Sequence, residues 1–215
     1  MSLLQAKSAR DYEQIVAEIC DLPWQKLDEK ETIRAAWAYY YFSVQFRENL
    51  ELACTIFSGD ENLRRLKKEE CDTDNLSPFP GVAGSGERMN HDEFMRRLLK
   101  LSPITEEEAR EYEMMGNRYL HKIRSIDPMS RALSIASYED GGLESVFKAI
   151  LKSENFDNPS LNAFRFFLSE HIRFDSDPDQ GHGALSRHLA PDDSVAPLWS
   201  AFKQLFVDFT PSLFQ

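Results

Sequence analysis

Cysteine is scarce in this chain of 215 residues: Cys20, Cys54 and Cys71 lie far apart and form no CxxC pair. That excludes a disulfide framework or structural zinc site as the organising device, and a reducing cytoplasm fits best. No stretch approaches the roughly 18 uncharged apolar residues of a membrane span. The N-terminus, Met1-Ser-Leu-Leu-Gln-Ala-Lys, lacks the apolar core of a signal peptide, so a soluble, unexported protein is expected. Cations are outnumbered as well, with 25 Lys and Arg against 36 Asp and Glu and a formal charge of -11. Nucleic acid and anionic membranes are disfavoured as partners, because both demand clustered positive charge. The basic run from Arg64 to Lys68 leads straight into Glu69-Glu70 and reads as a solvated helix face. GxxxxGK[ST], GxGxxG and GxSxG are absent, and Gly84-Ser85-Gly86 is too short to cradle a phosphate.

Also missing is any convincing alternation of period two; the apolar spacing is helical nearly throughout. With 42% hydrophobic and 12% aromatic residues, the chain can bury one core, and a single all-α domain over residues 1–215 is expected. The spacing predicts helices over about 8–20, 30–57, 61–70, from 90, 105–124, 127–152 broken or bent at Gly141-Gly142, from 158 through His171, and finally after Ser194. That makes about seven or eight helices in all. Thr105 and Glu108 have capping-box spacing. The helix at 30–57 carries Trp37, Tyr39, Tyr40, Tyr41, Phe42 and Phe46 around most of its circumference, which predicts a central position with neighbours on several sides. Residues 71–89, with Pro78, Pro80, Gly81, Gly84 and Gly86, form the longest irregular segment and are expected to be a lid or partly disordered.

Histidine numbers only five, and three fall after residue 170. In His171-Ile-Arg-Phe-Asp175 and the following Ser-Asp-Pro-Asp-Gln-Gly-His182, Asp175 lies about 40° and His182 about 20° from His171 if the helical phase is kept. Two imidazoles and a carboxylate converging on one point are ligand chemistry suited to iron. The alternative is an Asp-rich interhelical loop with His182 capping the next turn. Further candidates are His91 at a helix start, the pair Glu69 and Glu70 at a helix end, and Glu139 beside a glycine pair that can bend the backbone. Each also has a plain structural reading as a solvated or terminal residue. His188 is about 100° off the face of His171, and His121 is expected on a surface or packed helix. Tyr40, Tyr41 and Tyr138 are the candidates to line a pocket.

The order of these pieces resembles the heme-oxygenase-like di-iron oxidase and oxygenase superfamily, CADD-like proteins whose fold is shared with the TenA thiaminases. An aromatic long helix from Ala36 to Leu50 carries the likeness, with Glu69-Glu70 before a loop, His91-Asp-Glu93-Phe94, Tyr138-Glu139, and His171-x-x-x-Asp175 followed by a further histidine. It spans about Trp37 to His182. The resemblance implies a heme-oxygenase-like bundle, two irons per chain held by Glu70, His91, Glu139, His171, Asp175 and His182, and O2 as co-substrate for oxidising a small organic molecule. A homodimer is implied too. Two departures stand out: twenty residues separate Glu70 from His91, where the superfamily usually has six, and His182 comes seven after Asp175 instead of three or a little more. Heme is not expected, since heme oxygenase binds it through an early-helix histidine and this chain has none before His91. Two other readings stand beside the di-iron one. The first is a metal-free helical protein of the same fold that binds a small ligand, and the second is a TenA-like hydrolase needing Cys54 or Cys71 as nucleophile.

Overall fold

The structure, a computed structural model, describes residues 11–175 and 181–214. The described residues include ten α-helices: α1 (Asp11–Cys20), α2 (Glu29–Ile56), α3 (Glu61–Cys71), α4 (His91–Leu99), α5 (Glu106–Arg124), α6 (Pro128–Glu139), α7 (Gly142–Ile150), α8 (Pro159–Asp175), α9 (His182–Ser186) and α10 (Ala196–Phe209). The expected all-α class is observed. The count exceeds seven or eight for two local reasons. Of the break or bend expected at the glycine pair, the structure has the break, because Gly141 takes φ 88°, a left-handed conformation that stops α6 and restarts the chain as α7. The segment after Gly181 also winds into the five-residue α9, too short to announce itself by periodicity.

Helix boundaries follow their side chains. Asp28 caps α2 and Thr105 caps α5, each in a reciprocal capping box with the glutamate three residues on, Glu31 and Glu108. Asp127 accepts from the backbone N–H of Ser130 with Pro128 in the first turn of α6. Asn158 Oδ1 accepts from Leu161 N at 2.9 Å to start α8. α2 has the central place its aromatic circumference predicts, packing against α3, α4, α5, α6, α8 and α10. Phe42 stacks on Phe202 at 3.9 Å between centroids and meets Tyr138 edge-on at 5.1 Å, while Tyr39 packs against Phe147, Phe164 and Phe167. Gln45, fully buried at mid-helix, donates to the Tyr138 hydroxyl at 2.7 Å and accepts from the Tyr119 hydroxyl, so one amide ties α2 to α5 and α6. None of the described helices is long and apolar enough to cross a membrane.

The Pro/Gly-rich segment after α3 is packed rather than loose. Thr73 and Met89 pair antiparallel through two backbone hydrogen bonds, 3.5 and 3.0 Å, which close the excursion at its base. Its tip lies on the bundle: the Phe79 ring sits 4.9 Å from Phe166 of α8, and Leu76, Val82 and Ala83 are buried. Arg97 of α4 clamps it by donating to Glu87 Oε1 at 2.7 Å and to the Val82 carbonyl at 3.2 Å. Glu93 holds that arginine in turn, accepting from Arg97 Nε at 2.7 Å and from Arg96 Nε at 2.6 Å.

The hydrogen bonds from Arg96, outweighing partial burial and joined by those from Arg97, pull the Glu93 carboxyl from its usual 4.5 down to about 2. A folded-state value below the unfolded one means that the contribution is complete above about 4.5 and lost as pH falls towards 2. The Glu93 side chain is 29% exposed, so solvent screening holds the effect to about 0.5 kcal/mol. Glu93→Gln is therefore expected to melt slightly below the parent at pH 7, and the gap should close on acidification to pH 2. Thermal melts of both proteins across that range check it.

Candidate metal centre

Five of the residues named from the sequence meet in one buried cluster. Glu70 ends α3, His91 opens α4, Glu139 ends α6, His171 lies in α8 and His182 opens α9; all five are between 5% and 8% exposed. They form two groups of potential ligand atoms, Glu70/His91/His171 and Glu70/Glu139/His182, within each of which the ligand atoms lie within 4.8 Å of one another. Glu70 is common to both. Its Oε2 is 2.7 Å from His91 Nδ1 and its Oε1 is 2.8 Å from His182 Nδ1, so one carboxylate faces one group with each oxygen. His171 Nε2 closes to 3.0 Å on His91 Nδ1, and Glu139 Oε2 is 3.5 Å from His182 Nδ1.

The protonation states make this arrangement informative. His171 Nδ1 lies 2.7 Å from the Phe167 carbonyl oxygen, which can only accept, so Nδ1 carries the hydrogen and the neutral ring presents a lone pair at Nε2. His91 Nε2 lies 3.3 Å from Asn75 Oδ1, likewise an acceptor, so the neutral ring presents its lone pair at Nδ1. Two imidazole lone pairs and a carboxylate oxygen then point at the same space. Such a set is stabilised by a cation among them, either an added proton or a metal ion. Its spacing suits a metal: donors about 2.1 Å from one ion and at right angles to each other stand about 3 Å apart, against 2.7 and 3.0 Å here. Glu70 Oε1 is also buried without accepting a hydrogen bond, although 2.8 Å from His182 Nδ1. Burial opposes ionisation of Glu70, but the positive charge that His91 and His182 carry when they take up the added proton outweighs it and holds the carboxyl well below the usual carboxylate range.

Glycine and the closed loop bring these ligands together. A Cβ on Gly183 would lie 2.9 Å from the Glu139 carbonyl oxygen, so only glycine lets α9 approach the end of α6 this closely and set His182 beside Glu139. The Thr73–Met89 pairing returns the chain beside its own start, and the twenty residues between Glu70 and His91 thus cost the pair nothing in proximity. The loop also brings Asn75 to orient His91 from behind. On the other side Glu69 Oε2 stands 3.5 Å from His182 Nε2 while Glu69 itself pairs with Arg65. Glu70, not Glu69, is the inner carboxylate. His182, not His188, is the inner histidine; the His188 side chain is 43% exposed and pairs with Asp60. His121 is exposed. The sixth expected ligand, Asp175, ends α8, and its side chain lies outside the described residues.

Beside the cluster is a cleft bordered by Tyr39, Ser43, Phe46 and Arg47 of α2, Cys71, Asn90, Asp92, Leu143 and Phe167. None of the three tyrosines expected to line a pocket borders it. Helical rotation turns Tyr39, Ser43 and Phe46 towards the cleft and aims Tyr40 and Tyr41, with Val44, into a separate groove against α4 and α5. Tyr138 is fully buried, about 100° round the helix from Glu139, and its hydroxyl serves Gln45. Tyr39 carried the same aromatic signal as its neighbours, and Asn75 gave none, being one polar residue in a polar loop. Comparison with protein-family models, curated proteins and solved structures gives no match for this chain.

The assignment of Asn75 as an orienting residue leads to a specific expectation. Asn75→Ala should leave the fold intact and weaken metal binding on the order of 10- to 100-fold, the range typical when the partner of a metal-ligating histidine is removed. Fe(II) titration of both proteins under anaerobic conditions measures it.

Proposed function

We propose that this chain is a heme-oxygenase-like helical protein carrying a carboxylate-bridged di-iron centre, and that it uses O2 to oxidise a small organic substrate. The observation that carries the reading is Glu70, whose two oxygens face two imidazoles at 2.7 and 2.8 Å from the middle of a buried Glu/His cluster. A carboxylate shared by two ligand groups suits a pair of metal ions, and a mixed oxygen and imidazole set supplied by several helices suits iron. His91, His171 and Glu70 would hold one iron; His182, Glu139 and Glu70 would hold the other. Bound there, iron supplies the redox chemistry that activates O2.

The chain's own residues supply the setting. The Phe167 carbonyl and Asn75 hold their histidines in the tautomers that aim lone pairs inwards. Tyr39, Phe46, Leu143 and Phe167 give the cleft beside the cluster apolar lining. One observation bears on the cysteine-hydrolase reading: Cys71 borders the same cleft beside Glu70. Burial, followed by the charges of Glu70, Asp92 and Glu51, pushes its thiol up to about 12, which keeps it protonated and a poor nucleophile. The other, Cys54, points its thiol at the Leu63 carbonyl.

The test is iron stoichiometry on protein purified anaerobically and loaded with Fe(II). Wild type should hold about two irons per chain, and His171→Ala and Glu139→Ala, each touching one ligand group, about one apiece. Glu70→Ala should lose both. Well-folded wild type that takes up no iron would overturn the reading.

A further inference from the structure

α5 turns one face away from the core, and the charges on that face are sorted by sign. Glu107, Glu111, Met114, Arg118 and Lys122 are all exposed and fall within an arc of about 80° at 100° per residue; the buried Tyr112, Gly116 and Ile123 lie on the far side. Other charged groups of α5 find partners: Glu108 with Lys30, Arg110 with Glu106, and Arg124 with Glu48. Glu107, Glu111, Arg118 and Lys122 form no ion pair among the described residues. Glu107 sits one turn from Glu111 and Arg118 one turn from Lys122, like charges at the i,i+4 spacing that weakens an isolated helix. The helix dipole favours acids in the first turn and cations in the last, but its influence ends there. It accounts for Glu107 and Lys122; Glu111 lies past the first turn and Arg118 before the last. Between the acidic and the basic pair stands Met114, 64% exposed, one of three large apolar side chains open to solvent among the described residues. Beside it a groove runs between α5 and α10, bordered by Met115, Leu205 and Phe209, with ≈ 520 Å³ wide enough for a water-sized sphere.

An antiparallel copy of the same helix answers each of these features. With α5 of a second chain laid against α5 about a twofold axis, Glu111 meets Arg118 and Glu107 meets Lys122. Both pairs share one midpoint, between Met114 and Met115, so a single register serves them, and the symmetry makes each pair twice. Packed helices stand about 8–10 Å apart, which brings long facing side chains within ion-pair reach. Close to the axis the two Met114 side chains meet and extend towards the grooves against α10, which removes their apolar surface from water. From this we infer that the outer face of α5, with the groove beside it, is an interface between two copies of this chain, antiparallel about Met114. The ion pairs set partner and register, and the methionines supply apolar burial. A different partner would have to carry the sign sequence of α5 in reverse, which α5 already offers to itself. The formal charge of -11 on each copy opposes non-specific association, so the contact depends on this local match. Nothing in it requires a metal, and it stands whether or not the Glu/His cluster binds iron.

The experiment is sedimentation equilibrium of the full chain over a series of concentrations, with helicity checked by circular dichroism. Wild type should show a monomer–dimer equilibrium with Kd on the order of 1–100 μM, the weak range of a small interface. Glu111→Arg and Arg118→Glu should each weaken dimerisation on the order of tenfold or more, because each sets like charges face to face on both sides of the axis. Mixed in equal amounts, the two variants should recover the wild-type affinity as a heterodimer, since the cations of one chain then face the acids of the other. No general loss of stability produces that recovery. Met114→Asp, which places a charge at the axis, should leave the chain monomeric, and it serves where a charge-reversal variant does not fold. A wild-type chain that stays monomeric at about 1 mM leaves this face to some other partner and overturns the inference. So does a dimer that none of these substitutions weakens, or a mixture of the two folded charge-reversal variants that fails to associate.

Discussion

A carboxylate buried between two imidazoles sets the terms for the rest of this molecule. Glu70 is 5% exposed and lies 2.7 and 2.8 Å from His91 and His182. An ionised carboxylate in such a place is tolerated only when its charge is answered at close range. Five helix ends or faces converge to provide that answer, and several features elsewhere in the chain make sense as conditions for it. α6 must stop at Glu139, which the left-handed Gly141 ensures, and α9 must come close enough to use that stop, which Gly183 permits. α4 must begin at His91, directly after a loop that returns to its starting point.

The loop shows how local chemistry serves a distant requirement. Its own backbone pairing closes it, Phe79 seats it on α8, and the Glu93–Arg97–Glu87 chain fastens it to α4. These are modest interactions singly, exposed enough for solvent to screen. Together they fix Asn75 behind His91, and through one hydrogen bond that determines which nitrogen of His91 faces Glu70. A surface excursion thereby reaches into the electronic character of the cluster, in the manner by which outer partners orient metal-ligating histidines generally.

α2 divides the labour of the interior. Buried along most of its 28 residues, it uses Gln45 and Asn49 to bind α5 and α6 through polar side chains, Phe42 to fill the core, and the Tyr39, Ser43, Phe46 and Arg47 stripe to face the cleft. The cluster is thus built by the surrounding helices, and the space beside it is shaped largely by the central one. That separation lets the cleft's polar corner differ in chemistry from the ligand set a few residues away: Asp92 and Arg47 form an ion pair there, next to His91 but apart from it.

The helical class, the central place of the aromatic helix, the Thr105 capping box and the candidacy of Glu70, His91, Glu139, His171 and His182 were all legible in the sequence. Those properties come from residue type and from spacings within a single turn or helix, which the chain carries with it unfolded. The glycine pair marked where one helix would break or bend, and only the left-handed backbone of Gly141 made it a break; the short α9 was not legible, since a five-residue helix leaves little periodic trace. Nor was the choice of Tyr39 over Tyr40 and Tyr41, because on a helix aromatic around most of its circumference only the neighbours decide which face meets the cleft. Glu70 over Glu69 and His182 over His188 were settled in the same way, by which side chain turns inward. The pairing of Glu70 with His91 across twenty residues, and the joining of two ligand groups through one carboxylate, depend on loop closure and helix convergence. These are long-range contacts, and no local pattern of residues encodes them.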